Sequence, residues 1–176
     1  MHTRRAALAF VATLAAAGAA SAQQTPPPGS PLSRPQAPTQ IPGPYGEPVG
    51  VDYAQRLIAA AMAEARRHNY QMAFAVVDPA GELVAFARLD DVQTASIVTA
   101  QDKAKCAARY RRPTLYWAQQ IAMGNLNVMT LEGLLAAEGG IPLVDAHGHV
   151  IGAVGVSGGT SAQDGDTAAA AIAATH

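Results

Sequence analysis

The stretch Gly155-Val156-Ser157-Gly158-Gly159 fits G-x-S-x-G, the turn that holds a nucleophilic serine in α/β hydrolases. Asp164 and His176 follow it in hydrolase order. The same turn has a second reading. Its small residues let backbones pack closely, and amides at a helix start bind anions such as a carboxylate. His147-x-His149 puts two imidazoles on one face of an extended strand, which is two ligands where a zinc site takes three or four. His68 stands at the end of a predicted helix, where the dipole favours a histidine at the surface. Cys106 is the single cysteine, so neither an internal disulfide nor a Cys-based zinc site can form. At its Ala-rich position it reads as a small buried hydrophobe; a redox role requires an exposed, low-pKa thiolate.

The elements that must position these residues follow from periodicity. Residues 52–68 predict a helix, with Ala54, Leu57, Ile58, Ala61, Met62 and Ala65 on one face and Asp52 as cap. Gln71–Val77 and Glu82–Leu89 predict strands joined through Asp78-Pro79-Ala80-Gly81. The first of them is the more uniformly apolar, as in a central strand covered on both faces. A small-faced helix is expected over 93–110, and a short one from Thr114, its N-cap, to Met123. Residues 124–140 read as loop with one turn of helix. Ile141–Val144 and His149–Val156 form a second predicted hairpin, and a last helix covers 162–174. Glycines 152 and 155 imply close approach of another element. The order α-β-β-α-α-β-β-α contains two hairpins, so the fold class is α+β, an antiparallel sheet with helices packed against it. That context opposes the hydrolase reading, whose parallel sheet needs more chain than residues 49–176 provide.

The chain has 176 residues, 49% hydrophobic and 14% charged. Twelve Lys plus Arg against thirteen Asp plus Glu give no basic field for nucleic acid. Residues 1–22 have the form of a signal peptide: Arg4-Arg5, an apolar run over 6–20, and Ala20-Ser21-Ala22 as the cleavage site. The run is too short for a permanent membrane span, and no cysteine follows the cleavage site to carry a lipid anchor. Export to the periplasm or medium is expected, by general secretion or the twin-arginine route, with ten Lys plus Arg remaining against thirteen acids. Residues 23–48 hold nine of the twelve prolines. They read as an extended linker, or as a tail that wraps a neighbour. The folded domain is then 49–176.

Several stretches occur together and in one order. They are Ala75-Val76-Val77-Asp78-x-x-Gly81-x-Leu83-x-Ala85, Asp102-Lys103-Ala104, Arg112-Pro113-Thr114, Gly139-Gly140-Ile141-Pro142-Leu143, and Gly148-x-Val150 through Gly159 with Gln163-Asp164. They resemble the HbpS/GlcG family of haem-degrading domain proteins over residues 50–174. The resemblance implies a PAS- or profilin-like fold that forms homo-oligomers. It also implies haem binding in some members, redox sensing in one extracellular branch, and fusion to corrinoid-processing enzymes in another. Leu89-Asp90-Asp91 departs from the Met-Asp-Gly common there.

Haem requires an apolar slot, an axial ligand, and cations for its propionates. His68 and His149 are the imidazole candidates for iron, with Met62, Met72, Met123, Met129, Tyr110 and Cys106 as further ligand types. Arg88, Lys103 and Arg112 are the candidate propionate partners, and Ser157, Gly158 and Gly159 the candidate anion turn. Each has a plain alternative: Lys103 in a salt bridge, Thr114 as a helix cap rather than a ligand contact, Tyr116 and Trp117 as core or interface aromatics. Three functions remain open at this point. One is an exported binder of haem or another tetrapyrrole in a homo-oligomer. The second is an enzyme or accessory of a periplasmic oxidative pathway, holding a small carboxylate at Lys103 and the Ser157–Ser161 turn. The third is a structural assembly module.

Overall fold

The computed structural model describes residues 25–39 and 43–175. The leader read at 1–22 and His176 lie outside them. The elements are α1 (Val51–Arg67), β1 (Ala73–Val77), β2 (Leu83–Arg88), α2 (Ala95–Tyr110), α3 (Thr114–Ala122), β3 (Gly140–Val144), β4 (Val150–Ser157) and α4 (Ser161–Thr175). The order is the one read from the sequence. The strands form one sheet, β2-β1-β4-β3, with every neighbouring pair antiparallel. β1 is central and wholly buried, as its unbroken apolar run predicts.

The two faces of the sheet are built differently. Phe74, Val76, Val154, Val156 and Leu143 face α1 and α4, whose Leu57, Ile58, Ala61, Ala168 and Ala171 complete that core. Ala73, Ala75, Val77 and Ala153 face α2, which answers with Ala100, Ala104, Ala107 and Ala108. Ala75, Gly155 and Gly140 are register partners across three strands. A Cβ at Gly155 would collide with the Ala100 carbonyl, and one at Gly140 with the Lys103 carbonyl. The row is small because the backbone of α2 lies directly on it.

Local details correct the sequence reading in two places. Gly50, not Asp52, caps α1; the helix starts one residue early, which puts Asp52 in its first turn, facing the dipole. Pro113, not Thr114, caps α3, because the Thr114 hydroxyl is turned inward to accept the Gly140 N–H at 2.9 Å. The described part of the proline-rich segment contacts this domain. It takes one short 3-10 turn, Pro31–Ser33, and lies back on its own domain against α3. At the Leu89-Asp90-Asp91 departure, Asp91 adopts φ 61°, a left-handed conformation that aspartate tolerates better than most side chains.

Candidate functional site

Lys103 lies on α2 directly over the small-residue row, and its side chain is 2% exposed. Its ammonium donates to Asp164 Oδ2 at 2.6 Å and to the Val156 carbonyl at 3.0 Å. Gly139, at φ 125°, passes so close that a Cβ there would stand 3.0 Å from Lys103 Nζ and collide with Asp164 Cβ. The glycine pair 139–140 therefore lets the chain run beside a buried charge without displacing it.

Asp164 is the other half of the pair, with its side chain 4% exposed. Its Oδ1 accepts the Gly159 N–H at 2.9 Å. Burial pushes its carboxyl up from the ordinary aspartate range, and the Lys103 charge and the Gly159 and Gly158 amides pull it back down. Next to it, Thr160 and Gln163 form a capping box. Thr160 N–H donates to Gln163 Oε1 at 2.8 Å, and Gln163 N–H donates to Thr160 Oγ1 at 3.3 Å. The Gln163-Asp164 dipeptide thus closes the start of α4 with one residue and neutralises Lys103 with the other. Within the Ser157–Ser161 turn, Asp164 engages the Gly159 amide and Gln163 the Thr160 amide.

Glu138 completes the charged cluster. Its N–H donates to Ser161 Oγ at 2.7 Å, and its carboxylate pairs with Arg34 at 2.9 Å. Arg34 also pairs with Asp166 on α4. Burial pushes the Glu138 carboxyl up, and the Arg34 guanidinium opposes that shift. Gly165 on α4 leaves the space the Glu138 side chain fills.

The structure brings Lys103, Thr114, Ser157, Gly158 and Gly159 to one end of the sheet, around the entry to β3 and the exit from β4. Arg88 is exposed at the end of edge strand β2, in the register row Arg88, Ala73, Ser157. His68 follows α1, exposed, 3.1 Å from Glu64 Oε1 and stacked on Tyr70. His149 stands at the opposite end of β4, where its Nδ1 lies 3.3 Å from Asp145 Oδ2. The two iron candidates are therefore not brought together. His147 and His149 have ring centroids 5.9 Å apart, and among the described residues no group of three metal-ligating side chains forms. Cys106 is buried beneath Leu135, whose N–H donates to its sulfur at 3.3 Å, and burial pushes its thiol up. It is the inert hydrophobe its surroundings suggested. The hydrolase reading of Ser157 falls with the antiparallel sheet. Among the described residues, the histidine side chains that are paired meet Glu64 and Asp145, not Ser157.

A second region offers an open apolar slot. Gln55, Ile58, Ala59 and Met62 of α1 face Val84, Ala85, Phe86 and Ala87 of β2 across a groove of about 320 Å³. A short connection leads from the end of α1 to Ala73, and Ala73 is the register partner of Arg88. Of the residues singled out in the sequence, Met62 lines this groove, while His68 after α1 and Arg88 at the end of β2 lie beyond its lining. Sequence reasoning named Met62 without seeing the groove it lines, because α1 and β2 are joined only through β1. It missed Glu138 and the buried role of Gln119. An amide in the middle of the apolar run Leu115–Ala122 was the available signal.

Comparison with known proteins agrees with this architecture. Protein GlcG of Escherichia coli (strain K12) is 41% identical over 104 residues, which cover 59% of this chain and 77% of that protein. A crystal structure of a PduOC:heme complex superposes with a TM-score of 0.66 at 27% identity, covering 72% of this chain and 94% of that one. A double mutant of HbpS from Streptomyces reticuli superposes with a TM-score of 0.67 at 25% identity, covering 80% and 98%. The model of the family described as haem degrading protein HbpS-like matches residues 49–173, and the chain belongs to that HbpS-like family.

Proposed function

We propose that this chain is an exported, homo-oligomeric protein that binds haem or a related tetrapyrrole, and that its role is binding rather than catalysis. The observation that carries the reading is the α1–β2 groove. It is apolar along most of its length and Met62 lies in its wall; His68 just after α1 and Arg88 at the end of β2 lie beyond its lining, on the two elements that form it. That set supplies the three things haem requires: an apolar slot, a thioether or imidazole for iron, and a cation for a propionate. The complex of PduOC with haem, on the same fold, supports it. At about 320 Å³ the groove is at the small end for ligand sites and is open to one side. A second copy laid over edge strand β2 would close it, which joins ligand binding to self-association. Bound haem would bring a redox-active iron to this face. Lys103 does not serve the propionates in this arrangement, because Asp164 already neutralises its charge.

The test is a haem titration of residues 23–176 followed from 350 to 700 nm. A saturating, stoichiometric Soret band is expected. Met62→Leu or His68→Ala should shift the band, and Arg88→Ala should weaken binding several-fold. His149→Ala, at the far end of the sheet, should change nothing. A flat titration overturns the reading. Export is tested separately by N-terminal sequencing of the periplasmic or secreted protein, with Gln23 expected as the first residue.

A further inference from the structure

Gln119 is 1% exposed in the middle of α3. A buried primary amide is costly unless its donors and acceptor are satisfied. All four of its hydrogen bonds go to the proline-rich segment. Its Nε2 donates to the Pro31 carbonyl at 3.1 Å and to the Pro35 carbonyl at 3.0 Å. Its Oε1 accepts the Ala37 N–H at 2.8 Å and the Gln36 Nε2 at 3.3 Å. Three of the four partners are main-chain groups, so the amide reads backbone rather than particular side chains: a 3-10 turn at Pro31–Ser33 and the chain that follows it to Ala37. Proline suits such recognition, because its ring fixes φ and it presents a carbonyl with no N–H of its own; the Pro31 carbonyl also accepts the Arg34 N–H at 3.3 Å.

The segment has further anchors. Ala37 is inserted to 4% exposure. Arg34 reaches between Glu138 and Asp166. Arg112 Nη1 donates to the Thr39 carbonyl at 2.6 Å. Cavities of about 300 and 270 Å³ flank the segment, and Arg34, Leu115 and Glu138 line both. The segment therefore divides one longer groove that runs between α3, β3 and α4.

We propose that this groove is a binding site for a proline-rich peptide, read through the Gln119 amide, and that residues 31–38 are its resident occupant. The domain supplies one wall of the groove through Pro113, Leu115, Ile141, Gly165 and Ala169, and the segment supplies the other. The bound segment is a strap that shields Glu138 and, beneath it, the Lys103–Asp164 pair from water. The site is separate from the α1–β2 groove, and the inference does not depend on haem.

The test uses hydrogen exchange on residues 23–176. Exchange over residues 33–39, which include the Ala37 amide, should be at least about tenfold slower than in the free peptide of residues 29–39. Ala37→Glu sits in the strap itself, so it leaves the domain intact while expelling the strap, and it should bring exchange to within about twofold of the free peptide. A fluorescent peptide of residues 29–39 should then bind saturably to the Ala37→Glu chain and not to the unaltered one. Adding Gln119→Leu to that chain should weaken peptide binding at least about tenfold. Two results would overturn the proposal. One is exchange over 33–39 at the free-peptide rate in the unaltered chain. The other is no peptide binding to the Ala37→Glu chain.

Discussion

Two aspartates flank β4, and their settings match closely. Asp145 precedes the strand and accepts the His147 and His149 N–H groups, each at 2.8 Å, with the His149 ring 3.3 Å away. Asp164 follows the strand and accepts the Gly159 N–H, with Lys103 Nζ 2.6 Å away. Each therefore caps a turn and faces one base. Their carboxyls nevertheless move in opposite directions. The His149 amide holds Asp145 below the ordinary aspartate range, whereas burial pushes Asp164 above it. Hydrogen bonds alone favour the charged form, and loss of water disfavours it. The difference lies in what packs over each residue. A solvated hairpin turn leaves Asp145 wet, while α2, laid flat on glycines, keeps Asp164 dry.

The largest way to break the comparison is Asp164→Ala. It strands the Lys103 ammonium in the core, and denaturant unfolding should show a loss of about 3–5 kcal/mol. The double variant Lys103→Met with Asp164→Leu should recover a large part of that loss, since an apolar pair has no charge to desolvate. A double variant no more stable than Asp164→Ala would show that the pair is irreplaceable here. Thr160→Ala removes half of the capping box and should cost about 1 kcal/mol in the same assay. Asp145→Ala should have the smallest effect, because the turn is solvated and water replaces the lost acceptor.

The comparison is sharpened by pH. Following the two carboxyl carbons by NMR should place Asp145 below, and Asp164 above, an unfolded-chain aspartate. The linkage signs differ accordingly. Asp145 adds stability above its unfolded pKa, and that contribution fades as pH falls through its lowered folded value. Asp164 contributes most below its unfolded pKa, and that contribution fades as pH rises through its raised folded value. Equal shifts of one sign would refute the account of burial given above.

Much of the fold was legible in the residues. The strict apolar run of β1, the two turn signals and the amphipathic α1 fixed the element order and the antiparallel class. The glycines of β4 announced a close neighbour without naming α2. Lys103 was legible as an unusual charge on a small-faced helix, with a salt bridge as one of its two readings. Its partner was not, because 61 residues separate it from Asp164 and nothing in either segment specifies their meeting. Thr114 looked like a helix cap because hydroxyls prefer that position. The hydroxyl faces inward because the Gly140 amide is buried beside it and requires an acceptor.

Local chemistry is short-ranged, so the sequence by itself determined what each segment would be: helix, strand, turn, capping box and extended proline-rich segment. It also carried the family, since the motifs keep their order along the chain. Tertiary structure alone decided which side chains lose their water. It dried Asp164 and left Asp145 wet. It closed Gln119 around the proline-rich segment and set Met62 in the wall of the α1–β2 groove. Burial depends on what packs from distant parts of the chain, and it sets the cost of a charge or an unpaired amide more strongly than any neighbour in sequence.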